Sequence, residues 1–224
     1  MMNTLCMTMN KTAFIDFDGT IVDVFPRYYG ILSEYLKEIA NESLDFSQYK
    51  KLKRLGKKDH IIVKELTQGL EIDIDEYLKY KRERLESFSW LLKDTLIGNP
   101  EGANLKLKNM GYKVVLLTQR YNKNNLNKQL EILNIKECFD EVVMVKPIAG
   151  QNVKAVYIGT MSNSDDIIVG DSKVEIDASI LLNINGYFVE SGLFSAESLG
   201  IHNLVFDDYD SVVNYIYKRK DRLE

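Results

Sequence analysis

The 224-residue sequence predicts an α/β protein built on a doubly wound parallel sheet, with an all-helical segment inserted near its start. Short apolar runs recur along the chain, and most are continuous rather than alternating, as strands buried on both faces of a parallel sheet are. Helical patterns separate those runs, which is the alternation of a wound sheet. One long interval, from Val24 to Ile97, carries no strand signal and reads as a separate unit.

The first run is Ala13–Phe17, and it passes directly into Asp16-Phe17-Asp18-Gly19-Thr20. Within the long interval, Tyr28, Leu32, Tyr35, Leu36 and Ile39 recur at helical spacing, and so do Ile74, Leu78, Leu85, Phe88 and Leu92. Trp90, with Phe88 and Leu91, is expected in the interior of that unit. A basic run, Lys50, Lys51, Lys53, Arg54, Lys57 and Lys58, reads as a solvated helical face, as charge runs usually do.

After the insertion come a helix over Glu101–Met110, the strand Tyr112–Thr118, a helix over Asn122–Leu133 and the strand Val142–Val145. A helix over Gln151–Thr160, the strand Ile167–Gly170, a helix over Lys173–Leu182 and the strand Gly186–Val189 follow, with a weaker run at Asn203–Phe206. Pro26, Pro100 and Pro147 all fall near these boundaries. The expected division is a core of residues 1–23 and 98–224 with a helical cap of residues 24–97.

Candidate chemistry gathers at the carboxyl ends of the strands, where wound sheets bind ligands. Asp16 and Asp18 repel each other unless a cation or a proton intervenes. A hard cation such as Mg²⁺ takes carboxylates, waters and substrate phosphate as ligands. The pair can also divide labour, one attacking phosphorus and the other moving protons. Asp16 is the better nucleophile because the strand fixes it, which leaves Asp18 as acid and base. Thr118 ends a buried strand with a hydroxyl that can donate to a phosphoryl oxygen. Lys146, after Val142–Val145, can neutralise phosphate as a point charge. Gly170 lets backbone approach a ligand, Asp171 can reach a shared metal, and Glu175 lies one turn into the next helix. Gly19, Thr20, Gln119 and Arg120 flank these groups as candidate substrate contacts.

In this order the motifs resemble the haloacid dehalogenase-like hydrolase superfamily, from Ala13 to about Phe206. The resemblance implies a Rossmann-like core with a helical cap, as in phosphoglycolate phosphatase-like members. It implies that Asp16 is phosphorylated, that Asp18 is the general acid/base, and that Thr118 and Lys146 hold the phosphoryl group. Magnesium would be held by the Asp16 carboxylate, the Asp18 backbone carbonyl and Asp171, with Glu175 supporting through water. Asp18 points to phosphoryl rather than halide chemistry. Lys57-Lys58-Asp59-His60 looks similar to the Schiff-base segment of phosphonoacetaldehyde hydrolases, with Lys57 at the lysine position. Sugar-phosphate mutases share the core motifs, and a low-turnover phosphate-binding module is a further alternative. Gln119, Glu175 and Ile148-Ala149 depart from the commoner residues at their places.

Composition narrows the setting. With 29 Lys and Arg against 33 Asp and Glu, the net charge of −4 gives no general attraction to nucleic acid or anionic membrane. No run approaches the ~20 apolar residues of a membrane helix, and Met1–Asn10 has no signal-peptide pattern. Cys6 and Cys138 read as free thiols of a reducing cytosol. The expectation is a cytoplasmic magnesium-dependent phosphatase acting on a small phosphorylated metabolite. Its oligomeric state is not legible.

Overall fold

The computed structural model describes residues 11–220, so Cys6 and the segment 1–10 lie outside the described residues. Six strands form the main sheet: β1 (Lys11–Ile15), β4 (Tyr112–Gln119), β5 (Glu141–Val145), β6 (Ile167–Gly170), β7 (Asn185–Val189) and β8 (Val205–Phe206). They run parallel in the order β5-β4-β1-β6-β7-β8. The doubly wound parallel sheet is therefore present, with β1 at its centre and both winding directions starting beside it.

Side chains on the central strands alternate between two apolar layers. Ala13 and Ile15 of β1, Val114 and Leu116 of β4, and Ile167 and Val169 of β6 join the larger cluster. Phe14, Val115, Leu117 and Ile168 face the smaller one, against Ala155, Ile158 and Ala178. Both faces are covered, which explains why these runs are apolar without a break. At the sheet edge β5 is only half-buried throughout, because it lacks a neighbour on one side. Its continuous apolar run had suggested full burial.

Flanking the sheet are α6 (Pro100–Asn109), α7 (Lys123–Ile132), α8 (Val153–Gly159), α9 (Lys173–Leu182), α10 (Ala196–Leu199) and α11 (Tyr209–Lys220). Asn99, Asn122, Asn152 and Ser172 cap the starts of the first four through side-chain acceptors. Ser172 and Glu175 make a reciprocal capping box.

Five helices lie in the long interval: α1 (Phe25–Ala40), α2 (Phe46–Arg54), α3 (Asp59–Leu66), α4 (Ile74–Leu85) and α5 (Phe88–Leu91). A two-stranded antiparallel ribbon, β2 (Val22–Asp23) with β3 (Thr95–Leu96), joins the two ends of this segment. β3 falls inside the interval that showed no strand signal, since two residues carry no periodicity. The helical register also differs in detail. Ile39, Ile74, Leu78 and Leu92 are exposed, whereas Tyr77 is the residue of α4 that is buried. Trp90 packs against Gly30, where an added Cβ would stand 2.4 Å from the indole. No helix among the described residues is long and apolar enough to cross a membrane.

Candidate active site

At the carboxyl end of the sheet, Asp16, Asp18, Thr118, Gln119, Asp171, Ser172 and Glu175 line one cavity of about 240 Å³. Lys154, Val24, Tyr28, Leu193 and Phe194 complete its wall. Strand ends supply most of these groups. Asp16 follows β1 and is pinned by its backbone N–H, which donates to Val169 O at 2.9 Å. Thr118 and Gln119 close β4, and Asp171 follows β6.

Glycine lets the parts close up. Gly19 has φ of 79°, and a Cβ there would stand 2.2 Å from an Asp171 carboxylate oxygen. A Cβ at Gly170 would meet Glu175 Cγ at 2.2 Å. Any side chain at either place would displace an acid of the site.

Three carboxylates converge. Asp16, Asp171 and Glu175 each offer an oxygen within 4.8 Å of the others, and all three are buried. Lys154 Nζ donates to Asp16 Oδ1 and, at 2.5 Å, to Glu175 Oε1. Glu175 Oε2 accepts from the Ser172 hydroxyl at 2.6 Å, so the helix cap also orients this acid. Burial, followed by the repulsion of Glu175, pushes Asp16 up to about 7 against the pull of Lys154. Asp171 is raised well above its ordinary value by burial, then by Asp16 and Glu175. One ammonium does not balance three acids. The surplus negative charge and the all-oxygen donors fit a hard divalent cation such as Mg²⁺.

The Asp18 carboxylate is turned away from that cluster. Arg120 grips it with two bonds, Nε to Oδ2 at 2.8 Å and Nη2 to Oδ1 at 2.5 Å. Arg27 Nη2 adds a third at 2.5 Å. Burial alone would raise the Asp18 carboxyl, but Arg120 and Arg27 together hold it well below the usual range. The arginines are themselves anchored. Arg27 donates to Asp94 Oδ1 at 3.1 Å and to Leu85 O at 2.8 Å, and Arg120 donates to Gln129 Oε1 at 2.9 Å. Gln129 Nε2 closes the network on Asp94 Oδ2 at 2.9 Å. Replacing Arg27 by leucine leaves buried Asp94 without its cation and takes one of its two arginines from Asp18, so a loss of about 3–5 kcal/mol in unfolding free energy is expected in a urea titration. An unchanged midpoint would contradict this account of the network.

Several expected residues lie elsewhere. Lys146 is exposed in the loop after β5 and does not line the cavity. β5 stands two strands from β1, about 10 Å away at ordinary strand spacing. Lys154 on α8 takes the place next to Asp16. The signal for it was a lysine between Val153 and Ala155 on an apolar helix face, where lysine is seldom buried without a partner. Arg120 contacts Asp18 and does not line the cavity. Thr20 is fully buried, and its hydroxyl has no hydrogen-bond partner among the described residues. Gly19 acts through its conformation and through its carbonyl, which accepts from Ser191 Oγ at 2.7 Å. Lys57 is paired with Glu65 at 2.5 Å and does not line the cavity, as a Schiff-base lysine would need to.

The basic run is not a uniformly solvated face. Lys53 is buried on Asp59, and Arg54 reaches the core, donating to Glu190 Oε2 at 2.9 Å and to the carbonyls of Glu190 and Gly192. Arg54 thus fixes the helical segment to the loop that carries Leu193 and Phe194.

Comparison with known proteins agrees with this architecture. Among solved structures, a haloacid dehalogenase-like family hydrolase from Streptococcus pneumoniae has TM-score 0.69 at 18% identity, covering 94% of this chain and 100% of that one. A predicted phosphoglycolate phosphatase from Haemophilus somnus 129pt has TM-score 0.67 at 19% identity, covering 94% and 99%. A structure named as a predicted β-phosphoglucomutase, from Thermotoga maritima, has TM-score 0.63 at 16% identity, covering 93% and 99%. At such identities the likeness is one of fold. No curated protein matches the sequence. The family model for haloacid dehalogenase-like hydrolases matches residues 14–189, most of the chain. The chain belongs to the haloacid dehalogenase-like hydrolase family.

Proposed function

We propose that this hydrolase is a magnesium-dependent phosphatase of small phosphomonoesters that works through an aspartyl-phosphate on Asp16. The observation that carries the reading is Asp16 at the end of β1, buried among Asp171, Glu175 and Lys154 in one cavity. Asp16, the Asp18 carbonyl and Asp171 would hold the ion, with Glu175 supporting them. A bound Mg²⁺ supplies neutralising charge to the phosphoryl group.

Asp16 attacks phosphorus in line, and Lys154 and the Thr118 hydroxyl offset charge on the phosphoryl oxygens. Asp18 gives a proton to the leaving oxygen and later takes one from the water that releases phosphate. Its ionised state suits the second task. For the first, the carboxyl has to leave Arg27 and Arg120 and pick up a proton. The cavity of about 240 Å³ limits the ester to a small one. Residues 24–97 act as a cap that reads the leaving group and excludes water.

An aryl phosphate offered with Mg²⁺ tests the reading. Steady phosphate release that a chelator stops is the expected outcome, and no release under any metal condition would sink it. Asp18→Asn should slow turnover by about 10²–10⁴-fold. With an aryl leaving group, which needs little protonation, phosphorylated enzyme should then accumulate in a rapid first turnover. Steady turnover at the parent rate would remove Asp18 from the mechanism.

Metal also has a pH signature. Because the Asp16 pKa is raised to about 7, its neutral form favours the fold. That contribution is complete below the ordinary carboxylate range and is lost as pH rises through about 7. Metal-free protein should therefore lose Tm progressively between about pH 4 and pH 7 and level off above, where Mg²⁺ should restore most. A metal-induced shift independent of pH would contradict the assignment of these acids.

A further inference from the structure

Part of the cavity wall carries no charge. Val24, Tyr28, Leu193 and Phe194 line the same space as Asp16 and Asp171. Val24 and Tyr28 stand one helical turn apart at the start of α1, where Tyr28 N–H donates to Val24 O at 3.0 Å, so they share a face. Leu193 and Phe194 come from the loop that follows β7.

This wall is fixed before any ligand arrives. Arg54 donates to the carbonyls of Glu190 and Gly192 ahead of Leu193. Its own carbonyl accepts from Ser195 N–H at 3.0 Å and from the Ser195 hydroxyl at 2.9 Å, just past Phe194. The rings are held as well. Lys81 Nζ stands 4.6 Å from the centre of the Tyr28 ring, and Lys53 Nζ stands 5.8 Å from that of Phe194. Both lysines are bound to Asp59 at 2.7 Å, and neither lines the cavity. What a leaving group meets there is the rings, already ordered by their cations.

Charge around the site leaves nothing for a second anion. Lys154 is the one cation among the described residues that lines the cavity, and it is spent on Asp16 and Glu175. A divalent ion together with Lys154 would balance Asp16, Asp171 and Glu175. Arg27 and Arg120 are matched by Asp18 and Asp94. A carboxylate or second phosphate laid against the neutral wall would lose water and gain no ion partner. An apolar group in the same place removes both its own surface and that of the wall from water.

We propose that the leaving group of the natural substrate is a small, neutral alcohol with an apolar body, seated on Tyr28 and Phe194. This rests on the phosphatase reading and deepens it: the phosphoryl group faces Asp16, and the wall reads what is attached to it. Val24, Tyr28, Leu193 and Phe194 are then determinants of specificity, and none of them takes part in bond breaking.

The test compares isobutyl phosphate with carboxymethyl phosphate, in which a carboxylate takes the place of an isopropyl group of the same shape. With Mg²⁺ present, the unaltered protein should prefer isobutyl phosphate by about tenfold or more in kcat/KM. Equal handling, or a preference for carboxymethyl phosphate, overturns the proposal without any variant. Phe194→Ala and Tyr28→Ala should each cut the preference by about threefold or more, through a fall on isobutyl phosphate. The ratio of the two kcat/KM values does not depend on how much of a variant is folded. A ratio unchanged in both variants therefore overturns the assignment of the wall. Calorimetric binding of isopentylphosphonate against carboxyethylphosphonate, with Mg²⁺ present, reads the same preference without turnover. If neither ester is hydrolysed, the phosphatase reading fails, while tighter binding of isopentylphosphonate still supports the neutral wall and equal or weaker binding removes it.

Discussion

Lys154→Met is expected to lower kcat/KM by about 10²–10³-fold, the usual effect of removing a donor aimed at developing charge. Lys146→Ala, by contrast, should change it by no more than about twofold, as exposed positions remote from a site usually do. The contrast separates two lysines that a strand-end rule ranks in the wrong order. Lys154 is 2% exposed and holds both Asp16 and Glu175, whereas Lys146 is in solvent. Its removal also leaves three buried acids without a local cation, so the variant should need more Mg²⁺ to reach its maximal rate. Lys154→Arg keeps the charge but cannot place a compact ammonium between the two carboxylates, and should recover only part of the loss. Parent-like activity in Lys154→Met, or a large loss in Lys146→Ala, would reverse the assignment.

Asp16→Asn is expected to abolish turnover, by about 10⁴-fold or more, as removal of a nucleophile does. The same change should stabilise the metal-free protein. Asp16 is raised to about 7 first by burial and then by Glu175, so its charge is resisted by its surroundings at neutral pH. An amide of the same shape removes that strain, a trade between stability and function typical of active sites. A higher Tm in chelator, together with lost activity, is the expected pair of results. Lost activity with a lower Tm would mean that the residue is mainly structural.

The sequence made the central strands legible because both faces of β1, β4 and β6 are covered and their apolar runs are continuous. Edge strand β5 produced the same run for less burial, and the β2–β3 ribbon is too short to leave any pattern. In the insertion, helices were visible but their inward faces were not: α4 turns Tyr77 inward and leaves Ile74 and Leu78 exposed. Asp16 and Asp171 were readable because each follows a strand end, and Glu175 because it lies one turn into the helix that follows. Lys154 was not, because it is placed by helix packing across the sheet rather than by a strand. The partners of Arg27, Arg120 and Lys53 were hidden for another reason. A basic residue looks alike in sequence whether it meets water or a buried carboxylate, and only the fold brings Asp18, Asp94 and Asp59 to these three.

The central claim is that Asp16 becomes covalently phosphorylated. It is tested most directly by acid-quenching the enzyme during turnover of an aryl phosphate and analysing its peptides by mass spectrometry. A single added phosphoryl group on the peptide containing Asp16, absent from Asp16→Asn and enriched in Asp18→Asn, is the predicted result. Active enzyme in which no phosphorylated peptide forms in either the parent or Asp18→Asn, or one that carries the group on another residue, would contradict it.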